Sequence, residues 1–175
     1  MGAAALIGAP SALSISRMGS SPAPASAAEV RQILRPGEAF VSFYFGRDAS
    51  FVWVVPQTGA TGFALIPFGS VELERKTATL RAALEPNAVS VIDIPPFDLD
   101  VAYDLYKSLL KPVEANWREA KSLIVATNGS LGLTPLGLLP MEPAQPSNEG
   151  PLFSGYRNVE WLARKYAVTV IPSAS

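Results

Sequence analysis

From residue 39 the chain alternates short apolar runs with turn residues. Ala39-Phe40-Val41-Ser42-Phe43-Tyr44-Phe45 is aromatic and β-branched and stops at Gly46-Arg47-Asp48. Phe51-Val52-Trp53-Val54-Val55 follows and stops at Pro56; Ala64-Leu65-Ile66 comes after Thr58-Gly59 and stops at Pro67. Such residues suit a pleated, half-buried surface. The short connections predict an antiparallel meander. Phe40, Phe43, Phe45, Phe51 and Trp53 are expected to pack the sheet, because aromatics dominate core burial; the competing reading is a ligand-binding face.

Helical spacing flanks and follows this meander. Residues 29–34 read as a short helical turn stopped by Pro36-Gly37. Ser70 is a fair N-cap, and Leu73, Thr77, Leu80 and Leu84 share one face of a helix that Pro86 ends. Residues 87–96 read as a loop with room for a short strand at Val89-Ser90-Val91-Ile92. Past Pro95-Pro96 a second helix begins, with Asp98 where a carboxylate complements the helix dipole. Its apolar stripe is Ala102, Leu105, Tyr106, Leu109 and Leu110. Pro112 ends it and opens a short third helix carrying Val113 and Trp117.

At residue 122 the pattern changes. Ser122-Leu123-Ile124-Val125-Ala126-Thr127 is apolar on both faces, as a strand covered on both sides of a parallel sheet would be. Asn128-Gly129 breaks it. Residues 141–157 are rich in Pro, Gly, Ser and Asn and read as a long surface loop. Residues 158–166 read as a helix with Trp161 and Leu162 facing inward, and Ala167-Val168-Thr169-Val170-Ile171 as a second strand of the same buried character. Strand, crossover, strand is a parallel unit. The expected fold class is α/β: an antiparallel β-meander plus helices leading into the first parallel strands of a sheet. Two parallel strands with few covering helices make that sheet incomplete, as though more elements should follow.

Composition narrows the chemistry. Residues 1–28 are rich in Ala, Ser, Gly and Pro with one charge, Arg17, and read as a flexible segment before a domain over residues 29–175. An exported leader is the other reading, with Ala3-Ala4-Ala5-Leu6-Ile7-Gly8-Ala9 as its apolar run and Ala25-Ser26-Ala27 as its cleavage site. No Lys or Arg precedes that run, and Pro10 breaks it. No apolar stretch is long enough to span a bilayer. Lys and Arg total 14 against 15 Asp and Glu, for a net charge of −1. Nothing there recruits nucleic acid or an anionic membrane. The chain contains no Cys and no His. That removes disulfides, thiolate nucleophiles, zinc thiolate sites, imidazole ligands and Ser-His or Cys-His pairs. The absence of Cys fits a cytoplasmic location.

The remaining candidates each have a blander explanation. Gly129, Gly132 and Gly137 lack dinucleotide or P-loop spacing and read as a strand-to-loop exit. Asp98, Asp100 and Asp104 could be drawn as a hard-cation cluster, but no Gly-containing ligand loop accompanies them. Ser130 could be drawn as a nucleophile with Lys121 or Lys107 as its base, but the Gly-x-Ser-x-Gly elbow is absent. No catalytic residue, cofactor site or metal site is therefore expected.

Four segments in order resemble the N-terminal half of a CHAT domain, the caspase-like module often attached to TPR repeats. They are Leu34-Arg35-Pro36-Gly37-Glu38-Ala39; Phe97-Asp98-Leu99 with Leu105-Tyr106-Lys107-Ser108-Leu109-Leu110-Lys111-Pro112; residues 122–131 running on to Leu133-Thr134-Pro135-Leu136-Gly137-Leu138-Leu139; and Trp161-Leu162-Ala163-Arg164-Lys165-Tyr166-Ala167-Val168 through to Ser175. Asn128 stands where the family usually has Asp. The resemblance implies a caspase-like sheet and, in active members, a His-Cys peptidase dyad on later strands. Neither residue occurs here, so the resemblance implies a non-catalytic portion of such a peptidase, inactive alone. The alternative is a degenerate, non-enzymatic interaction module. The partners implied are proteins: the downstream half of the domain, a TPR-containing protein, or a second copy paired through the final strand.

Overall fold

The apolar runs after residue 38 pair as the alternation predicts. The computed structural model describes residues 25–146 and 150–172. Strands β1 (Glu38–Phe45), β2 (Ser50–Pro56) and β3 (Gly62–Ile66) form an antiparallel meander, with Ser42 opposite Trp53 and Trp53 opposite Phe63. Helices α2 (Ser70–Leu84), α3 (Leu99–Leu109) and α4 (Glu114–Trp117) follow, then β4 (Ser122–Thr127), helix α5 (Leu162–Lys165) and β5 (Ala167–Pro172). Ahead of the sheet lies helix α1 (Ala27–Ile33). The sheet order is β3-β2-β1-β4-β5. The α/β class stands.

The parallel part of the sheet is larger than the two strands expected. β1 pairs with β4 in parallel as well as with β2 in antiparallel, so the meander and the parallel unit are one continuous sheet. β4 is an interior strand, between β1 and β5, and largely buried. β5 is an edge strand and mostly exposed, which corrects its expected buried character: among the described residues it has a neighbour on one side only.

All the major helices pack on one face. Ala39, Val41, Phe43, Val52, Val54, Leu123 and Val125 point into a single core with Leu73 and Leu80 of α2, Leu105 and Leu109 of α3, and Trp117 of α4. The stripe of α3 is buried as its spacing predicts, and Asp98 is its N-cap, accepting from the Val101 N–H at 2.9 Å. Lys76 of α2 donates to Asp104 of α3 at 2.6 Å. Burial works to lower the Lys76 pKa, but the Asp104 and Glu72 carboxylates outweigh it and hold it above the ordinary value.

Local expectations fail where long-range contacts intervene. The N-cap of α2 is Gly69, not Ser70, because the Ser70 N–H bonds to the Gly46 carbonyl at 2.9 Å and draws the chain against the Arg47 backbone. Residues 89–92 form no strand. Val91–Asp93 is a 3₁₀ turn closed by the Asp93 N–H on the Ser90 carbonyl at 3.0 Å. The helix expected over 158–166 shrinks to α5, because Trp161 is extended and bridges Pro140, and the Glu160 carbonyl accepts from the Met141 N–H at 2.8 Å. α1 starts at Ala27, with Ser26 and Glu29 in a reciprocal capping box, inside the 1–28 segment. Up to residue 24 that segment, leader reading included, lies outside the described residues, as do residues 147–149 and 173–175.

Candidate functional site

Among the described residues, only the short α1 touches the second face of the sheet, at its Pro56 end; no helix layer covers the rest. Side chains alternate across a strand, so with the core residues on one side, the other side carries Phe40, Ser42 and Tyr44 of β1, Phe51, Trp53 and Val55 of β2, and Phe63 and Leu65 of β3. None of these is charged. Exposure is 55% at Tyr44, 38% at Trp53, 57% at Phe63 and 59% at Leu65. The rings touch in series: Tyr44 to Phe51 at 6.3 Å, Phe51 to Trp53 at 5.8 Å, and Trp53 to Phe63 at 5.2 Å between centroids. α1 is tied to one end of this sheet, its Arg31 Nε donating to the Pro56 carbonyl at 3.2 Å.

The aromatics singled out in the sequence therefore divide. Phe43 is buried in the core, and Phe45 packs against it with ring centres 5.8 Å apart. Phe51 and Trp53 belong to the uncovered face, where Tyr44, Phe63 and Leu65 join them. Sequence reasoning missed Phe63 because strand three was expected to start at Ala64. The signal that could have found it is the alternation Phe63-Ala64-Leu65 itself.

The β5 edge is the second unpartnered feature. In a parallel pair, one residue bonds to the neighbour with both backbone groups and the next presents both outward. The Ala167 N–H donates to the Lys121 carbonyl at 2.9 Å, so Val168 and Val170 turn their N–H and C=O away from β4. Pro172 has no N–H to offer, which shortens the usable edge.

The C-terminal ends of β4 and β5 border an open cleft of about 340 Å³ lined by Thr127, Asn128, Gly129, Leu133, Val170 and Ile171. Parallel α/β sheets place ligand sites at such ends. Its polar side chains are one hydroxyl and one amide, without a charge. Ser130 lies beside it, facing a smaller cleft with Glu74, and its buried Oγ has no hydrogen-bond partner. Lys121 is at the opposite end of β4, roughly 20 Å away at strand rise. Lys107 is exposed on α3. The Ser-Lys pair is not assembled.

The aspartates do separate work. Asp98 caps α3, Asp104 holds Lys76, and Asp100 accepts from Gln145 at 3.4 Å. Among the described residues no group of three acidic side chains could hold a metal ion. Gly129 has φ of 64° at the strand exit, and Gly137 lies under Ala163, where an added Cβ would sit 3.0 Å from the Ala163 Cβ. Both glycines serve chain geometry. No helix among the described residues is long and apolar enough to cross a membrane. The arrangement can present apolar surface and backbone hydrogen-bonding groups to another polypeptide. Protein-family models, curated proteins and solved structures yield no match to this chain.

Proposed function

We propose that this chain is a protein-binding, non-catalytic portion of a CHAT-type, caspase-like fold, inactive as a peptidase by itself. The observation that carries the reading is the β5 edge, where Val168 and Val170 offer backbone groups that no strand among the described residues pairs with, at the end of a parallel sheet. A caspase-like sheet continues past such a strand with further parallel strands. The His and Cys that active members use are absent from the sequence, and acyl transfer needs an activated nucleophile, a base and oxyanion donors. In this reading a further protein segment, from a TPR-containing or other polypeptide, pairs with β5 in the cytoplasm.

A stand-alone interaction module is the second reading, favoured by the uncharged aromatic face. Both readings exclude turnover. The test is peptide hydrolysis by the purified chain together with hydrogen exchange in β5. Expected are no hydrolysis of fluorogenic peptides, slow exchange at Thr169 and Ile171, and fast exchange at Val168 and Val170. Hydrolysis that persists after repeated purification would sink the proposal, as would protected Val168 and Val170 amides in a monomer.

A further inference from the structure

The aromatic face poses a question separate from the β5 edge: what covers it. We infer that its occupant is a second copy of this chain, packed face to face so that two sheets form the middle of a four-layer dimer. The inference goes beyond the reading of β5 and stands on a different surface.

Area is the first support. Aromatic side chains carry roughly 150–250 Å² each. At the exposures of Tyr44, Trp53, Phe63 and Leu65, these four side chains leave roughly 400 Å² uncovered on each copy. A pair would bury about 800 Å² from them alone, and the less exposed Phe40, Ser42 and Phe51 between and beside them bring the total toward the roughly 1,200 Å² at which specific interfaces begin. Two sheets packed face to face lie about 10 Å apart with their side chains interdigitated. A ribbon of rings running across three neighbouring strands suits that spacing.

Charge is the second. A two-fold interface sets each patch against its own copy, so any charge near the axis meets its like. No residue at the β1, β2 and β3 positions from Phe40 to Leu65 on this face is charged. The nearest acid in register, Glu38, turns its carboxylate to the Arg35 N–H at 2.8 Å. A charged helix from another protein would find no counter-charge among the rings themselves, the Arg31 guanidinium being held at the Pro56 end, whereas a second copy meets no repulsion across the ribbon. Helices α2, α3 and α4 lie on the far side of each sheet, and α1 sits at the Pro56 end, away from Tyr44 and Leu65.

The test is light scattering after gel filtration, run at roughly 100 µM chain, above the micromolar dissociation constants within the range for interfaces of this size. Three proteins are compared: wild type, the double variant Trp53→Lys with Phe63→Lys, and Val170→Lys on the β5 edge. The expected result is a dimer for wild type and for Val170→Lys, and a monomer of native circular dichroism for the double variant. Should the double variant lose its fold, Leu65→Lys at the rim takes its place, with the dimer weakened at least tenfold. A monomeric wild type overturns the inference. So does a dimer that survives the face variant, and so does one abolished only by Val170→Lys, which would leave the β5 reading intact. Open-ended assembly also overturns it, because a face-to-face pair closes at two.

Discussion

Trp117 and Tyr166 meet edge to face, their ring centres 5.0 Å apart and their planes at 76°. Trp117 is fully buried at the end of α4 and donates its indole N–H to the Leu110 carbonyl at 3.2 Å. Tyr166, the residue before β5, donates its hydroxyl to the Arg118 carbonyl at 3.1 Å. The pair ties α4 to the root of β5. Trp117→Ala is expected to cost about 3–5 kcal/mol through the cavity it leaves, and Tyr166→Phe about 1 kcal/mol through one lost hydrogen bond. Urea denaturation measures both. A Trp117→Ala loss below that of Tyr166→Phe would contradict the packing described.

Gly69 and Gly132 make opposite predictions. A Cβ on Gly69 would enter the Arg47 backbone, whereas one on Gly132 meets only the Thr127 methyl at 3.9 Å. Gly69→Ala is expected to destabilise by roughly 2–3 kcal/mol, as overpacking against immovable backbone does. Gly132→Ala should leave the melting temperature nearly unchanged. Equal melting temperatures for the two variants would refute the close approach.

The Arg75 guanidinium, bonded to Glu72 at 2.7 and 2.8 Å, holds the Glu72 carboxyl down to about 2 from an ordinary 4.5. The folded value is depressed, so the contribution is present above pH 4.5 and is lost as pH falls toward 2. Glu72 is on the surface, so the effect is small and screened by salt. Glu72→Gln should melt slightly below wild type at neutral pH and low salt, and the two should converge near the folded value. A gap that persists at the acid end would assign the effect to packing.

At alkaline pH the tyrosines dominate. Burial, reinforced by the Glu114 carboxylate, pushes the phenols of Tyr106 and Tyr166 above their ordinary 10.0. A raised folded value gives stability that is complete below pH 10 and lost as pH climbs beyond it. Phenolate absorbance of these two should rise only as the fold is lost, and Tyr106→Phe should extend the stable range upward. Full ionisation with native circular dichroism intact would contradict the burial.

Elements set by local chemistry could be read from the residues. β1 and β2 announced themselves by composition, α3 by its stripe from Ala102 to Leu109, and its start by Asp98. What escaped depends on neighbours distant in sequence. β4 and β5 are alike in composition, yet β4 lies between two strands and β5 borders solvent. Nothing near Ala39 signals that it will face Leu123. The α2 cap moved because Gly46, on another turn, claims the Ser70 N–H. The uncovered face stayed hidden for the same reason: aromatic residues look alike whether helices cover them or not, and the third run was expected to open at Ala64 rather than at Gly62.

The two neighbours of β1 also set an order of assembly. Its hairpin with β2 needs only a short loop to close, while its pairing with β4 must wait for a chain segment containing three helices to be gathered in. Closing the longer loop costs more chain entropy before any contact repays it. In refolding, the β1–β2 amides should thus gain protection before those of β4, and the aromatic ribbon would stand exposed on a half-built sheet while the rest arrives.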